Sequence, residues 1–526
     1  MSHINSKLSD PVSNLVFDTL KIEKQAIVFV NAKRSAESVA DKVLLDCKSL
    51  LSSQNSLAKE VLNVLSSPTR QCHRLSKLIS KGVAFHHSGL SSKQRALVEQ
   101  NFKSGKIKVI CATPTLAVGL DLPAFRVIIR DVKRFGNRGM VNIPVLEYEQ
   151  MSGRAGRPKF DKKGEAVLIA KNDGNKEKLW YEYILGEPED IISKLAVKPI
   201  LRIYVLSVLA SGFASSYDSL IKFMSKTFYA HQYGNLNKLS FTIRGILEDL
   251  DAWEFIRKEE SKSVDSDFVS ASSLTKGFDI EVTRLGHRVS ELYLDPLTAN
   301  FLLDGMRKSV GKKFNYFNYL CMAASCIEMR PLIRYKQKEL EEVYSKFTVM
   351  EGDFTFDVPQ EYTEEFNDFL HSIKTSMVLE RWMDEASENE LYDKLGVTPG
   401  ELNGKIERTD WIFYSIVELA KLQGFKDIVR EISKLRVRVT QGVKEDLLTL
   451  LKLKHIGRVR ARSLAKEGLK DLGKLKNADA SRLVRILGGK VANKVRLQLG
   501  QEELDDDSKV KKRQKVRKGQ LGLDNF

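Results

Sequence analysis

Cysteine is scarce in this sequence, which has five scattered among 526 residues. Only Cys321 and Cys326 lie close together, and no second Cys or His pair stands near them to complete a zinc site. No apolar run approaches the roughly 20 residues that a membrane helix needs, and the N-terminus lacks the basic and then apolar pattern of a secretory signal. We expect reduced core thiols, no metal site, no membrane partner and a location inside the cell.

A phosphate-binding loop of the type G-x-x-x-x-G-K-[ST] is also missing. The Gly-Lys pairs that begin at Gly311, Gly404 and Gly489 lack both the upstream glycine and the following Ser or Thr. No acidic DExH-like box follows an apolar strand. The chain alone is therefore not expected to bind ATP productively, because the loop and the box supply the phosphate and magnesium contacts in such enzymes.

Negative charge is in the minority, with 68 Asp and Glu against 85 Lys and Arg, a formal net charge of +17 and a pI near 9.3. Such an excess favours an acidic polymer as partner, with nucleic acid as the first candidate. A chain kept soluble by surplus lysine would have the same composition. The motifs must decide between these interpretations.

The first 170 residues alternate short apolar runs with helical stretches, a pattern typical of a parallel sheet covered by helices. From about Trp180 the pattern is helical, apart from polar interruptions at residues 258–279, which suit a β-wing or a loop, and near residues 351–359. Ligands of an α/β sheet bind at the loops that follow its strands. The strand candidates are residues 26–30, 108–112, 126–130 and 166–170.

The segment from Gln150 to Pro158 reads QMSGRAGRP. Arg154 and Arg157 would lie on one helical face, while the glycines permit close backbone approach. Guanidinium groups bind phosphate oxygens bidentately and neutralise charge that develops during phosphoryl transfer. We predict a phosphate clamp with Gln150, Arg154 and Arg157 as its catalytic residues. A basic helix start would explain the arginines, but not the Gln, the glycines and the proline together.

This segment is similar to motif VI of superfamily-two helicases, and three earlier segments follow that family's order. Residues 29–34 (FVNAKR) resemble motif IV, residues 85–90 (FHHSGL) resemble motif IVa and residues 112–123 (ATPTLAVGLDLP) resemble motif V. The resemblance implies nucleic-acid contacts at Arg34, His87 and Thr113, and nucleotide contacts at Gly119, Asp121, Arg154 and Arg157.

Beyond these motifs the chain resembles the archaeal Hjm/HelQ type of DNA helicase. Residues 132–143 occupy the place of that family's strand-separating hairpin, which implies that Phe135 and Met140 press on the terminal base pair. An ordinary surface hairpin is the alternative.

The segment around Trp411 resembles the family's long ratchet helix. There an aromatic residue stacks on a base and a basic residue two turns earlier contacts the backbone. Trp411 fits the first role, although a lone Trp on an amphipathic helix is often a core residue. Gly404 stands where the basic residue is expected, so Lys405 beside it is the candidate.

Residues 456–462 (IGRVRAR) resemble a helix-hairpin-helix element, whose backbone amides and arginines grip phosphates without reading bases. Arg458, Arg460 and Arg462 are the candidate contacts. A small helical cap with solvated arginines is the alternative.

The chain ends in QLGLDNF, which has the residue spacing of a peptide that binds a PCNA-type sliding clamp. Gln520, Leu523 and Phe526 would be its contacts. An unstructured end is the alternative.

The resemblance implies a multidomain chain that begins at the second RecA-like lobe and lacks the first, either by truncation or because a split gene supplies that lobe in trans. ATP and Mg²⁺ would be shared with the missing lobe. We predict an α/β RecA-like lobe (1–178), a winged-helix domain (179–296), a helical ratchet domain (297–436), a small helix-hairpin-helix domain (437–500) and a disordered basic tail with the clamp-binding peptide (501–526).

The expected function is that of an ATP-dependent 3′–5′ helicase component. It would unwind or remodel single-stranded and forked DNA in replication-coupled repair, in an archaeal cytoplasm or a eukaryotic nucleus. A non-catalytic DNA-binding protein tethered to a clamp is one alternative, which the complete motif VI disfavours. An RNA helicase component is another, which the hairpin-helix end and the clamp-like tail disfavour.

Overall fold

The structure, a computed structural model, describes residues 8–501 except 66–67, 118, 120–121, 137–138, 157–160, 162, 235 and 260–277. Most of the described strands lie in the first part of the chain, up to residue 168. They are β1 (Ala26–Phe29), β2 (Val83–His86), β3 (Val109–Ala112), β4 (Arg126–Ile129), β5 (Lys133–Gly136), β6 (Gly139–Asn142) and β7 (Glu165–Leu168).

Five of these strands form one parallel sheet in the order β2-β3-β1-β4-β7. Every residue of β1 to β4 is buried, as expected for short apolar strands that helices cover on both faces. The four predicted strands are confirmed, and β2 is an additional strand. β5 and β6 pair antiparallel as a separate hairpin.

Helices surround this sheet and close the α/β lobe. Arg126 at the start of β4 fastens it to the first helix, since its guanidinium lies 2.9 Å from Asp18 and donates to the Leu15 carbonyl at 2.8 Å. The helices are α1 (Pro11–Lys21), α2 (Lys33–Asp46), α3 (Asn55–Leu62), α4 (Arg70–Ile79), α5 (Ser92–Lys103), α6 (Val145–Ser152) and α7 (Asp173–Leu179).

In the described residues after β7, the chain is mainly helical apart from a two-stranded ribbon. The ribbon pairs β8 (Ile256–Glu259) with β9 (Asp279–Val282) at the predicted polar interruption. The helices up to residue 441 are α8 (Lys198–Ala210), α9 (Tyr217–Met224), α10 (Phe228–Tyr233), α11 (Leu236–Ala252), α12 (Arg284–Glu291), α13 (Pro296–Ser309), α14 (Tyr316–Ser325), α15 (Leu340–Met350), α16 (Glu364–Met383), α17 (Glu388–Leu395), α18 (Pro399–Gln423) and α19 (Lys426–Gln441).

One hydrophobic core runs through this helical region, from Leu201 to Val439. The predicted boundary between residues 296 and 297 therefore coincides with no break in the core. The last four helices have a separate core of their own that extends from Val443 to Val495. They are α20 (Arg458–Lys466), α21 (Leu472–Lys476), α22 (Ala480–Leu487) and α23 (Gly489–Gln498).

Candidate nucleotide and nucleic-acid interface

A groove of about 680 Å³ lies at the carboxyl edge of the parallel sheet. The loops that follow successive parallel strands meet at this edge, which explains why distant segments line one groove. Its walls combine parts of predicted motifs IV, IVa, V and VI with one side chain of the β5–β6 hairpin. These include Asn31, Lys33, Ser88, Thr113, Thr115, Arg134 and Gln150.

Thr113 follows β3 directly and is 9% exposed at the wall of the groove. Its hydroxyl lies 3.0 Å from that of Thr115, and its backbone N–H donates to the His86 carbonyl at 3.2 Å. These hydrogen bonds fix the loop after β3, so the Thr113 hydroxyl and the backbone turn lie at a defined position on the wall of the groove. Arg34, at the start of α2, is exposed.

Motif VI lies against motif V. Gln150 is exposed near the end of α6, while the Arg154 guanidinium donates through Nε to the Ala117 carbonyl at 3.2 Å and through Nη2 to the same oxygen. The chain just after Arg154 is held against the segment that precedes β4, because the Gly156 N–H donates to the Ala124 carbonyl at 2.6 Å. Arg154 therefore ties the two motifs together in this structure.

Glycine is required at Gly156, where φ is +92° and the backbone touches Gly164. A Cβ on Gly164 would lie 2.2 Å from the Gly156 nitrogen. Gly119 also has a positive φ, +77°. Two predicted nucleotide contacts, Asp121 and Arg157, lie outside the described residues.

The prediction that His87 contacts nucleic acid is wrong for this structure. The ring is fully buried, stacked on Phe85, and its Nδ1 accepts from the Gly89 N–H at 3.1 Å. Nε2 lies 3.3 Å from a carboxylate oxygen of Glu37. His87 thus shapes the motif IVa loop from behind, and the sequence could not show which face of the loop it occupies.

The first turn of α18 packs against the motif IVa loop. The Gly400 N–H, one of the amides that a helix start leaves without an internal partner, donates to the Gly89 carbonyl at 3.0 Å. A Cβ on Gly400 would lie 2.2 Å from the Ser88 carbonyl oxygen and 2.5 Å from that of Leu90. We call this contact, with the ion pair described next, the lobe–helix joint.

An ion pair completes the lobe–helix joint. Lys33 Nζ, at the wall of the groove, lies 2.6 Å from a carboxylate oxygen of Glu401. The other oxygen of Glu401 accepts from the Thr398 N–H at 3.1 Å and from its hydroxyl at 2.7 Å. Burial disfavours the charge of Glu401, but Lys33 and these bonds outweigh it and hold its pKa below the ordinary value.

The prediction of a backbone contact by Lys405 is also wrong here. Its side chain is 5% exposed, and Nζ donates to the carbonyls of Met329, at 2.7 Å, and of Pro331. Burial and the nearby Arg408 lower the pKa of Lys405 to about 8. The lysine therefore fastens α18 to the segment after α14.

Trp411 is half-buried on α18, and its indole N–H donates to the Leu292 carbonyl at 3.0 Å. The bond fixes the plane of the ring, while part of its surface stays accessible. On the β5–β6 hairpin, Met140 is 47% exposed and stands opposite Phe135 in the strand register. Arg134 of this hairpin pairs with Glu147 of α6 at 2.6 Å.

Two of the three arginines predicted to grip phosphate near residue 460 are used within the protein. Arg458 lies over the Trp382 ring at 4.2 Å and donates to the Ala386 carbonyl at 2.8 Å. Arg462 forms ion pairs with Glu385 and with Asp446.

Arg460 remains exposed and donates only to the His455 carbonyl, at 2.9 Å, among the described residues. The phosphate-contact prediction is therefore corrected for Arg458 and Arg462, which dock the last helices on the helical region. The predicted clamp contacts Gln520, Leu523 and Phe526 lie outside the described residues.

Family models match three parts of the chain. The helicase conserved C-terminal domain matches residues 8–159, domain 4 of archaeal helicases matches residues 317–442, and a domain of unknown function matches residues 445–518.

The ATP-dependent DNA helicase Hel308 of Pyrococcus horikoshii is 36% identical over 512 residues, which are 96% of this chain and 67% of the relative. The Hel308 of Methanococcus vannielii is 34% identical over 530 residues, with 94% and 68% of the two chains covered. The chain belongs to the Hel308 family of ATP-dependent DNA helicases. The Hel308 of Methanocella arvoryzae is 38% identical, with 95% and 66% covered. The predicted family is thereby confirmed, and the chain spans about two thirds of the length of these Hel308 relatives.

The lobe–helix joint was not predicted from the sequence of this Hel308-family chain. A local signal was present, because Thr398-Pro399-Gly400-Glu401 has the Thr and Glu spacing of a capping box and marks a helix start. The signal does not say what the helix start contacts. Within the described residues, no helix is long and apolar enough to cross a membrane, and no cluster of three metal-ligating side chains occurs there.

Proposed function

We propose that this chain supplies the second motor lobe and the DNA-gripping part of a 3′–5′ DNA helicase that acts on forked DNA. The proposal rests on the direct contact between the wall of the groove and the first turn of α18. Lys33 lines the groove and pairs with Glu401 on the first turn of the helix that carries Trp411. A movement of the lobe would therefore be passed directly to the helix.

The nucleotide would be held between this lobe and a first RecA-like lobe, which in this proposal is a separate body of the same helicase. Gln150 is exposed at the wall of the groove, and the Arg154 guanidinium lies against motif V, so motif VI offers an amide and a guanidinium as donors. Such donors fit phosphate oxygens. Bound ATP with Mg²⁺ would supply the free energy of hydrolysis, and Arg157 is the proposed partner of Arg154.

Nucleic-acid contacts are proposed along the groove and beyond it. Thr113 and Arg34 would contact the backbone of the tracking strand, and Trp411 would stack on a base. Met140, together with Phe135, would press on the terminal base pair at the fork. Arg460 is the remaining candidate for a phosphate contact in the last helices.

Two domain assignments and one partner belong to the same proposal. Helices α8–α12 with the β8–β9 ribbon would form a winged-helix domain, and α20–α23 would form a helix-hairpin-helix domain. The C-terminal QLGLDNF would bind a PCNA-type sliding clamp.

A strand-separation assay tests the proposal. The chain is mixed with a first RecA-like lobe from a relative, and forks with a 3′ or a 5′ single-stranded arm are offered with ATP. We expect separation of the fork with the 3′ arm only. Tight fork binding without separation would favour the non-catalytic clamp-tethered protein, and separation of RNA duplexes in preference to DNA would favour an RNA helicase.

A further inference from the structure

The last four helices and their short connections carry positive charge that their own carboxylates do not balance. Residues 443–501 contain fifteen Lys and Arg against five Asp and Glu. Four of these carboxylates already form ion pairs with other cations, namely Glu445, Asp446, Glu467 and Asp471. Such an excess of cations favours an anionic partner from outside these helices.

Three of the surplus cations and one leucine form a continuous strip along α23. Lys490 and Lys494 are exposed and stand one turn apart, so they lie on one face of the helix. Leu497, three positions further along that face, is half exposed. The exposed Lys454 closes the row, because its backbone N–H donates to the Gln498 side-chain oxygen at 2.7 Å. We call Lys454, Lys490, Lys494 and Leu497 the α23 strip.

The α23 strip defines the chemistry of a partner. The ion pairs of the last four helices involve other residues, and none reaches a lysine of the strip within the part of the chain that the structure describes. A sugar–phosphate backbone would satisfy the lysines but leave the apolar surface of Leu497 in water, which is unfavourable. The partner that matches the whole strip carries carboxylates on both sides of an apolar side chain.

The chain itself has such a segment directly after α23. Residues 502–507, which lie outside the described residues, read EELDDD, with five carboxylates around Leu504. Gly500 has a positive φ of +72°, and the Gln501 N–H donates to the Arg496 carbonyl at 3.0 Å. This arrangement ends a helix and turns the chain off its axis. The acidic segment therefore begins close to the end of the α23 strip.

The lengths of the acidic segment and of the strip also match. An extended chain advances about 3.3 Å per residue, so Asp505–Asp507 reach about 10 Å beyond Leu504. Lys490 lies about 10 Å from Leu497 along the helix, at a rise of about 1.5 Å per residue. With Leu504 beside Leu497, the three aspartates would lie along the two lysines of α23.

We propose that residues 502–507 pack antiparallel along α23, with Leu504 against Leu497 and the carboxylates on the lysines of the α23 strip. The short connection gives the segment an effective concentration on the order of millimolar, so individually weak surface ion pairs hold it there. A phosphate backbone that approaches these lysines must first displace the segment. The acidic segment thus restrains nucleic-acid binding by the last four helices. This consequence rests on the proposed function, whereas the contact itself does not.

Cross-linking of the full chain with a zero-length carbodiimide, read by mass spectrometry of its peptides, tests the contact. The reagent joins a carboxylate to a lysine only where the two groups touch. We expect links from residues 502–507 to Lys490 and Lys494 at low salt, and none to Lys466, an exposed lysine at the far end of α20. Links confined to the basic run at residues 509–518, or no links from the acidic segment, would overturn the inference.

A variant separates this contact from a general effect of charge. It replaces the five carboxylates by amides: Glu502→Gln, Glu503→Gln, Asp505→Asn, Asp506→Asn and Asp507→Asn. At low salt it should bind a fluorescein-labelled oligothymidylate about three- to tenfold more tightly than wild type, because the competing ion pairs are lost. In a Lys490→Gln, Lys494→Gln background the same replacement should have little effect.

The outcomes distinguish the contact from the proposed function. An equal gain in affinity in both backgrounds would show a general charge effect and overturn the restraint. A wild-type chain that fails to bind the oligonucleotide would overturn the proposed function, while the cross-links would still decide whether the acidic segment lies on the α23 strip.

Discussion

The lobe–helix joint should be broken by one methyl group. In Gly400→Ala, the new Cβ would meet the Ser88 and Leu90 carbonyl oxygens at 2.2 and 2.5 Å. Both are backbone atoms, so the helix start must retreat by about 1 Å to restore ordinary contact, and overpacking of this kind costs about 1–3 kcal/mol. The retreat would also remove the hydrogen bond from the Gly400 N–H to Gly89.

Amide hydrogen exchange measures this loss directly. Because the α/β lobe and the helical region have separate cores, we expect local opening of the joint, with exchange of the amides of Thr398 and of residues 400–402 accelerated about 5- to 150-fold. Gly404→Ala is the matched control on the same helix, since nothing lies within 4 Å of its Cβ position. It should leave this exchange unchanged and stabilise the helix slightly. Equal exchange in the two variants would show that the close approach at Gly400 does not hold the joint.

Three further changes test other contacts. Glu401→Gln should lower stability by about 0.5–1 kcal/mol at pH 7, since the ion pair with Lys33 is half exposed. The pKa of Glu401 in the folded protein lies below 4.5. The stability difference between wild type and variant is therefore complete above pH 4.5 and disappears as the pH falls through the folded pKa. A stability difference that persists in acid would contradict this origin. Arg126→Ala should lower the free energy of unfolding by about 3 kcal/mol in urea titrations, and a loss no larger than that of an exposed arginine would count against its anchoring role. Arg458→Ala should release the last four helices, seen as faster proteolysis before α20 and altered Trp382 fluorescence; an unchanged digest would show that the docking lies elsewhere.

The sheet was predictable because strand formation depends on local sequence. Runs such as Ala26–Phe29 and Val127–Ile129 are short, apolar and rich in β-branched residues, and their burial on both faces follows from that composition. The motif order then placed Thr113 and Gln150 at one edge of the sheet, where the structure has them.

The partners of the Lys and Arg side chains were not predictable from local sequence. Arg462 is paired with Glu385, which lies 77 positions away, and Lys33 with Glu401, 368 positions away. Lys405 looks like any solvent-facing lysine until the carbonyl of Met329 is placed beside it. Long-range pairing therefore decides whether a basic side chain is a structural anchor or a site for phosphate.

The most direct test of the motor assignment is DNA-stimulated ATP hydrolysis by the chain, alone and with a first RecA-like lobe added. We expect hydrolysis only in the mixture, and its loss in Arg154→Ala, since the guanidinium that joins motif VI to the Ala117 carbonyl would be gone. Hydrolysis by a mixture that is indifferent to Arg154→Ala, or none in any mixture that binds DNA tightly, would contradict it.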